Sequence, residues 1–265
     1  MAAAKVRLDA LLAERGLFPS RSRAAASVLA GEVRLTGDGR RVEKPGTLVA
    51  PDAELDVRAG RAFASRGGLK LEHALEALGL DVPGRRALDV GASTGGFTDC
   101  LLRRGAAHVI ALDVAYGELA WVLREDARVT VLERTNARHL VREALPYPPD
   151  LVVIDLAFIG LAKVLEPVLS CAAPAFDCLA LVKPQFEVGK GNVGKGGVVR
   201  SPEHRRAALI GVGEAARALG FTVLAFASSG LPGPKGNRES FVWLAEGGRP
   251  GAQEDIEAAA REVEP

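Results

Sequence analysis

Four ionisable residues, Lys70, Asp155, Lys183 and Glu239, stand at positions that suit the deprotonation of a weak acid. Asp155 directly follows the apolar run Val152-Val153-Ile154, and Lys183 directly follows Leu181-Val182, so both read as residues at the end of a buried strand. In an open parallel sheet, the carboxyl ends of the strands are where ligands bind. Lys70 falls in a helix ahead of the first strand of that sheet, and Glu239 immediately precedes the last strand. Two amines and two carboxylates converging there suit removal of a proton from a ribose hydroxyl, a group so weakly acidic that methylating it needs a base near the transition state. A lysine serves as that base only when desolvation and a second cation lower its pKa. Lys183 is the candidate base, Lys70 the neighbouring cation that also positions substrate, and Asp155 and Glu239 the groups that orient the amines. Taken singly, each reads more readily as a surface residue or ion-pair partner; their shared position is what sets them apart.

A second motif accounts for a cofactor. Leu88-Asp89-Val90-Gly91-Ala92-Ser93-Thr94-Gly95-Gly96-Phe97-Thr98 is a glycine-rich turn leaving a strand and entering a helix, with small residues that let the backbone approach a ligand. A dinucleotide fingerprint requires glycine at its third position, where Ser93 stands. A phosphate-cradling loop ends in Gly-Lys-Ser or Gly-Lys-Thr, whereas this one ends Gly95-Gly96-Phe97. A cationic sulfonium cofactor with an amino-acid tail suits a loop flanked by carboxylates and lacking lysine. Its candidate contacts are Asp89, Gly91, Ala92, Ser93, Gly95, Gly96, Phe97 and Asp155, with Asp113 toward the ribose hydroxyls and Asn136 toward the adenine.

The elements that must position these residues follow from periodicity. Apolar strand candidates at 87–90, 109–114, 129–132, 151–154, 178–182, 221–227 and 241–244 are mostly separated by helix-length segments, the pattern of a doubly wound α/β sheet. Ser201 as N-cap, Pro202 at the first helical position and Gly220 beyond the end mark one intervening helix. The last two strands are joined by a turn-rich loop, so they are expected to pair antiparallel. The acidic tail 246–265 is expected to end in a short exposed helix.

Residues 5–58 read as a separate α+β unit: helices near 7–15 and 21–30, a strand at 32–35, turns at 36–39 and 44–46, and a strand at 55–57. Across 5–44 there are nine Lys or Arg against five Asp or Glu, a local excess suited to phosphates as well as to a solvated helix face. Candidate RNA contacts are Arg7, Arg21, Arg23, Arg40 and Arg41 there, Arg66 beyond it, and Lys190 and Lys195 in a glycine-rich segment after Lys183 that reads as a mobile basic lid. The expected division is a small module at 1–60, a linker at 61–66 and the α/β domain at 67–265.

Composition narrows the alternatives. The formal net charge of +1 over 265 residues names no partner, and the 48% hydrophobic content supports a packed core. No apolar run is long enough to cross a bilayer, and the start does not read as a signal peptide, so a cytoplasmic protein is expected. Cys100, Cys171 and Cys178 are widely spaced and lack histidine partners, which argues against a disulfide framework or a metal site.

Gly91-Ala-Ser-Thr-Gly-Gly-Phe-Thr98, Glu133-Arg-Thr-Asn-Ala-Arg138, Asp155-Leu-Ala-Phe158, Leu181-Val-Lys-Pro-Gln-Phe-Glu-Val-Gly189 and Gly236-Asn-Arg-Glu239 together resemble the TlyA family. These are ribosomal RNA 2′-O-methyltransferases, historically labelled hemolysins, with an FtsJ-type catalytic domain. The first unit is similar to the RNA-binding module of ribosomal protein S-four. The resemblance implies a Rossmann-like seven-stranded methyltransferase domain, S-adenosylmethionine as cofactor, a Lys70-Asp155-Lys183-Glu239 tetrad, and a cytidine ribose of ribosomal RNA, within ribosomal subunits, as target. Two departures stand out: Phe63 in Arg61-Ala62-Phe63-Ala64, where a tryptophan is expected in relatives that methylate both ribosomal subunits, and Ala157 where a serine is usual beside Asp155. A base-amino methyltransferase is less well matched, because Asp155-Leu156-Ala157-Phe158 lacks the two prolines such enzymes carry. A membrane-lytic protein or an assembly factor with an unused pocket are the other readings.

Overall fold

The computed structural model describes residues 5–18, 20–30, 33–36, 42, 44–57, 63–233 and 235–264, without the side chains of Arg23, Ala26, Leu29, Ala30, Val57 and Lys190. The chain divides into two compact units, Met1–Ala62 and Phe63–Pro265.

In the first unit, β1 (Val6–Arg7) runs into α1 (Leu8–Glu14), followed by α2 (Arg21–Ala30), β2 (Val33–Leu35), β3 (Leu48–Val49) and β4 (Leu55–Val57). Leu8, Leu11 and Leu12 are three and four residues apart, so they share one face of α1 and meet Ala24 and Val28 of α2. Val33, Val42 and Val49 close this core. β1 pairs antiparallel with β3, and β2 with β4. At two residues each, β1 and β3 leave no alternation to read, and the sequence does not announce them.

The second unit begins with α3 (Gly67–Leu78), β5 (Arg86–Val90), α4 (Gly96–Arg103), β6 (His108–Leu112), α5 (Trp121–Arg124) and β7 (Val129–Leu132). It continues with β8 (Leu151–Ile154), α6 (Leu165–Leu169), β9 (Asp177–Val182), α7 (Pro184–Glu187), α8 (Pro202–Ala218), β10 (Thr222–Ser228), β11 (Ser240–Ala245) and α9 (Ile256–Val263). Seven strands form one sheet in the order β10-β11-β9-β8-β5-β6-β7. β11 runs antiparallel to both neighbours, and the other pairings are parallel. From β5 the chain winds outward through β6 and β7, then returns to β8 and β9 on the other side. The carboxyl ends of β5 and β8 therefore flank the switch point where such sheets hold ligands.

Alternation along the strands feeds two cores. Leu88, Val90, Val152 and Ile154 face one side with Leu165, Val212 and Ile256, whereas Ala87, Leu151 and Val153 face the other with Leu71, Leu75 and Leu101. Each fully buried Leu, Val or Ile contributes roughly 1.5–3 kcal/mol relative to exposure. Phe63, read from sequence as part of the interdomain stretch, is buried in the second of these cores. α8 starts as its sequence signals require, with Ser201 Oγ accepting from the His204 N–H at 3.1 Å. The tail helix differs from expectation: α9 is not simply exposed, because Ile256 and Ala260 are buried in the first core while Glu257 and Arg261 face solvent.

Candidate active site

Three backbone features bring the predicted site residues together. Val90 pairs with Ile154 in the parallel ladder, and the Asp155 N–H donates to the Val90 carbonyl at 2.9 Å, so Asp155 leaves β8 beside the glycine loop that leaves β5. Lys183 leaves β9 in an extended conformation and caps α7, with Pro184 in the first turn. Ser240 pairs with Val182 in the antiparallel ladder, which sets Glu239 next to Lys183. Lys70 arrives from the first turn of α3.

Lys70, Gly91, Ala92, Ser93, Gly96, Phe97, Asp155, Lys183 and Glu239 all line one cavity of about 260 Å³. The four ionisable side chains resolve into two ion pairs, Lys70 Nζ with Glu239 Oε2 and Lys183 Nζ with Asp155 Oδ1. The first pair is nearly closed to water, with side chains 8% and 2% exposed, whereas the second is more open at 14% and 23%. Room for Glu239 depends on Gly233, where a Cβ would fall 2.3 Å from Glu239 Oε1. Ser65, Gly67, Thr94 and Pro232 line the same cavity and were not singled out from sequence, since small or apolar residues carry little chemical signal of their own.

A second cavity, of about 290 Å³, shares Gly91, Ser93 and Asp155 with the first and extends to Asp113, Asn136 and Phe158. Asp113 braces the glycine loop: its Oδ2 accepts from the Ser93 N–H and its Oδ1 from the Ala115 N–H, both at 2.8 Å. Asn136 caps a short 3₁₀ turn, its Oδ1 accepting from the Arg138 N–H at 3.0 Å. Phe158 has a left-handed backbone, is 92% exposed, and its ring centroid lies 5.4 Å from that of Phe186.

Two of the expected cofactor contacts line neither cavity. Asp89 is fully buried beneath the loop, where Thr98 Oγ1 donates to its Oδ2 at 2.7 Å. Burial pushes its carboxyl up to about 7, with Asp155 and Asp113 adding to the shift. The cause of its orientation is strand alternation: Leu88 and Val90 face one side of the sheet, so Asp89 faces the other, toward α4. Gly95 backs onto α5, where a Cβ would meet Leu123 Cδ1 at 2.2 Å.

The basic candidates are less concentrated. Arg7 and Arg21 both pair with Asp9 in the first unit. Arg66 is exposed, lines the first cavity, and donates from Nη2 to the Pro232 carbonyl at 3.3 Å. Lys195 is exposed in a short 3₁₀ turn. Arg40, Arg41 and the side chains of Arg23 and Lys190 lie outside the described residues. The segment read as a lid is tied down at its far end by Asn237, which is 2% exposed. Asn237 Oδ1 accepts from the Val199 N–H and its Nδ2 donates to the Gly197 carbonyl, both at 2.8 Å. Its buried amide joins that segment to the loop carrying Glu239. The sequence had shown it only inside a motif, with no role attached.

The paired cavities fit S-adenosylmethionine. Gly91 opens the cradle: its φ is +87°, and a Cβ would fall 2.4 Å from the Asp155 carbonyl oxygen. Glycine there lets the loop turn closely against the strand end that carries Asp155, so that loop and carboxylate line the same cavities. Beyond it the second cavity offers Asp113 and Asn136 to a nucleoside, and among the described residues no Lys or Arg lines it, as suits a ligand without phosphates. Among the described residues no cluster of His, Cys, Asp or Glu could hold a metal ion, and the three cysteines are buried thiols.

Comparison with known proteins agrees with this geometry. The FtsJ-like methyltransferase family matches residues 63–246, and the S4 domain matches residues 6–55. The 16S/23S rRNA (cytidine-2′-O)-methyltransferase TlyA of Mycobacterium tuberculosis is 53% identical over 244 residues, covering 91% of this chain and 90% of the relative. Hemolysin A of Brachyspira hyodysenteriae is 35% identical over 235 residues, covering 88% and 97% respectively. The solved structure of a protein named as a hemolysin from Streptococcus thermophilus superposes with a TM-score of 0.74 at 35% identity, covering 98% of this chain and 96% of that one. Seven strands in the observed order, a glycine loop opposite two lysine–carboxylate pairs, and these likenesses lead to one conclusion: the chain belongs to the TlyA family of FtsJ-like, S-adenosylmethionine-dependent methyltransferases.

Proposed function

We propose that this enzyme methylates the 2′-hydroxyl of a cytidine in ribosomal RNA, presented on ribosomal subunits. The observation that carries the reading is the enclosure of both lysine–carboxylate pairs in the cavity lined by the glycine loop. Ribosomal RNA and cytidine rest on the activity named for the Mycobacterium tuberculosis relative.

When bound, S-adenosylmethionine supplies a methyl group made electrophilic by its sulfonium. Gly91, Ala92, Ser93, Gly96 and Phe97 would hold its amino-acid end, and Asp113 and Asn136 its adenosine. Asp89 and Gly95 support the loop from behind. Lys183 acts in its neutral amine form, after its ammonium has lost a proton to solvent: Nζ takes the proton from the ribose 2′-oxygen as that oxygen becomes the nucleophile, and Asp155 balances the ammonium so formed. Lys70, fixed by Glu239, sets a positive charge facing the oxygen as it gains negative character. Lys183 is assigned as the base because its pair is the more open, and a proton taken from substrate must leave to solvent afterwards.

Residues 1–60 serve RNA binding, 61–66 join the units, and 67–265 carry catalysis. Arg7, Arg21, Arg23, Arg40, Arg41, Arg66, Lys190 and Lys195 are assigned to RNA phosphates. Among the described residues no helix is long and apolar enough to cross a membrane. The test is transfer of labelled methyl from S-adenosylmethionine to isolated ribosomal subunits and to naked ribosomal RNA, with mass mapping of the product. The expected result is one methyl on a cytidine ribose; methyl on a base, or no transfer to either substrate, overturns the reading.

A further inference from the structure

Asp9 is an unusual residue to find on a surface assigned to RNA. Its side chain is only 5% exposed, and it stands in the first turn of α1, two residues after Arg7. Arg7 approaches it as a fork, Nε donating to Oδ1 at 3.1 Å and Nη2 to Oδ2 at 2.8 Å. Arg21, the first residue of α2, brings its Nε to within 3.3 Å of the same Oδ2. The two arginine side chains stay 49% and 56% exposed. The Arg7 guanidinium also lies beside Gly46, where a Cβ would meet Nη1 at 3.0 Å, so a side chain at position 46 would crowd it.

The energetics favour a stable clasp. Hydrogen bonding from Arg7 outweighs desolvation, and with help from Arg21 it holds the Asp9 carboxyl at about 2, so the acid stays ionised at any working pH. Two guanidinium groups that would otherwise repel are held side by side by the charge between them. Each spends an inner edge on Asp9. The outer N–H groups remain for an anion, with the rotamer entropy of two long side chains already lost before binding.

We infer that Asp9 is a positioning residue for RNA binding, setting Arg7 and Arg21 as a rigid pair that receives backbone phosphate. The inference rests on the proposed RNA-binding role of the first unit and adds the acid that shapes it.

The test exploits a difference in sign. Removing a negative charge from a face that binds a polyanion tightens binding if charge alone matters. Positioning predicts the reverse. The full-length chain carrying Asp9→Asn is expected to bind transcribed ribosomal RNA about tenfold more weakly at fixed salt, the equivalent of losing one charge-assisted contact. KM for RNA rises with kcat and S-adenosylmethionine affinity little changed, a split that general destabilisation does not produce. RNA binding that is unchanged or tighter in a stably folded Asp9→Asn protein overturns the inference. Should thermal unfolding show that this variant has lost its first unit, Arg7→Lys and Arg21→Lys decide instead. They keep the charge but lose the fork, so weakening of about fivefold for each is expected, and binding equal to wild type overturns the inference. A wild-type chain that neither binds nor methylates ribosomal RNA removes the proposed function; wild-type activity with indifferent variants removes only the role of Asp9.

Discussion

Lys70 and Glu239, 169 residues apart in sequence, form an ion pair whose two side chains are almost closed to water. Removing one partner strands the other as a buried charge, which costs about 3–5 kcal/mol. Glu239→Ala is therefore expected to shift the denaturant midpoint strongly and abolish methyl transfer. The double variant Lys70→Met with Glu239→Leu should recover much of the stability and none of the activity. A midpoint unmoved by Glu239→Ala would show that the pair carries no stabilising load.

Lys183→Ala removes the proposed base while leaving the glycine loop untouched. Turnover should fall by about 10²–10⁴, with S-adenosylmethionine binding by calorimetry within about twofold of wild type. Lys183→Arg should not restore it, because a guanidinium cannot give up its proton to become a base. Retained turnover in either variant assigns the proton to another group.

Gly91→Ala tests the cradle. With φ at +87° and the Asp155 carbonyl 2.4 Å from the added carbon, the loop must move. Cofactor affinity is expected to fall at least roughly tenfold, while the RNA affinity of the first unit is unaffected.

Asp89 predicts a pH dependence with a definite sign. Burial raises its folded carboxyl to about 7 from an ordinary 3.8, so between those values the folded chain holds a proton that the unfolded chain has released. Its contribution to stability is present at low pH and is lost as pH rises through that window. Thermal unfolding between pH 4 and 8 should show a downward trend that Asp89→Asn flattens. An identical slope in both proteins would locate the titration elsewhere.

Much of this was legible because the sheet announces itself. Val152-Val153-Ile154 and Leu181-Val182 are apolar on both faces, and that pattern alone marks Asp155 and Lys183 as strand-end residues. Ser201 and Pro202 likewise start α8 where their chemistry requires. What stayed hidden was pairwise. Nothing local indicates that Lys70 takes Glu239 while Lys183 takes Asp155, since the choice is made by how α3 and β11 pack. Asp89 was expected to meet the cofactor, yet period-two alternation turns it inward, a rule available from sequence that the motif overshadowed. Asn237 carried no signal of its own, because a buried amide binding two backbone groups looks like any loop asparagine until the loops are brought together.

The reversed course of β11 decides where Glu239 can stand. Every other tetrad strand residue follows its strand and so emerges at the upper rim, whereas Glu239 precedes its own. Only a strand travelling downward begins at that rim. Were β11 turned to travel with β9, its leading residue would start at the opposite edge, a six-residue strand and about 20 Å away. A hairpin at the margin of the sheet thus delivers the fourth member of a quartet whose other members come from elsewhere. Rewiring the 229–239 connection, as in a circular permutant cut there, would spare the sheet and dismantle the chemistry.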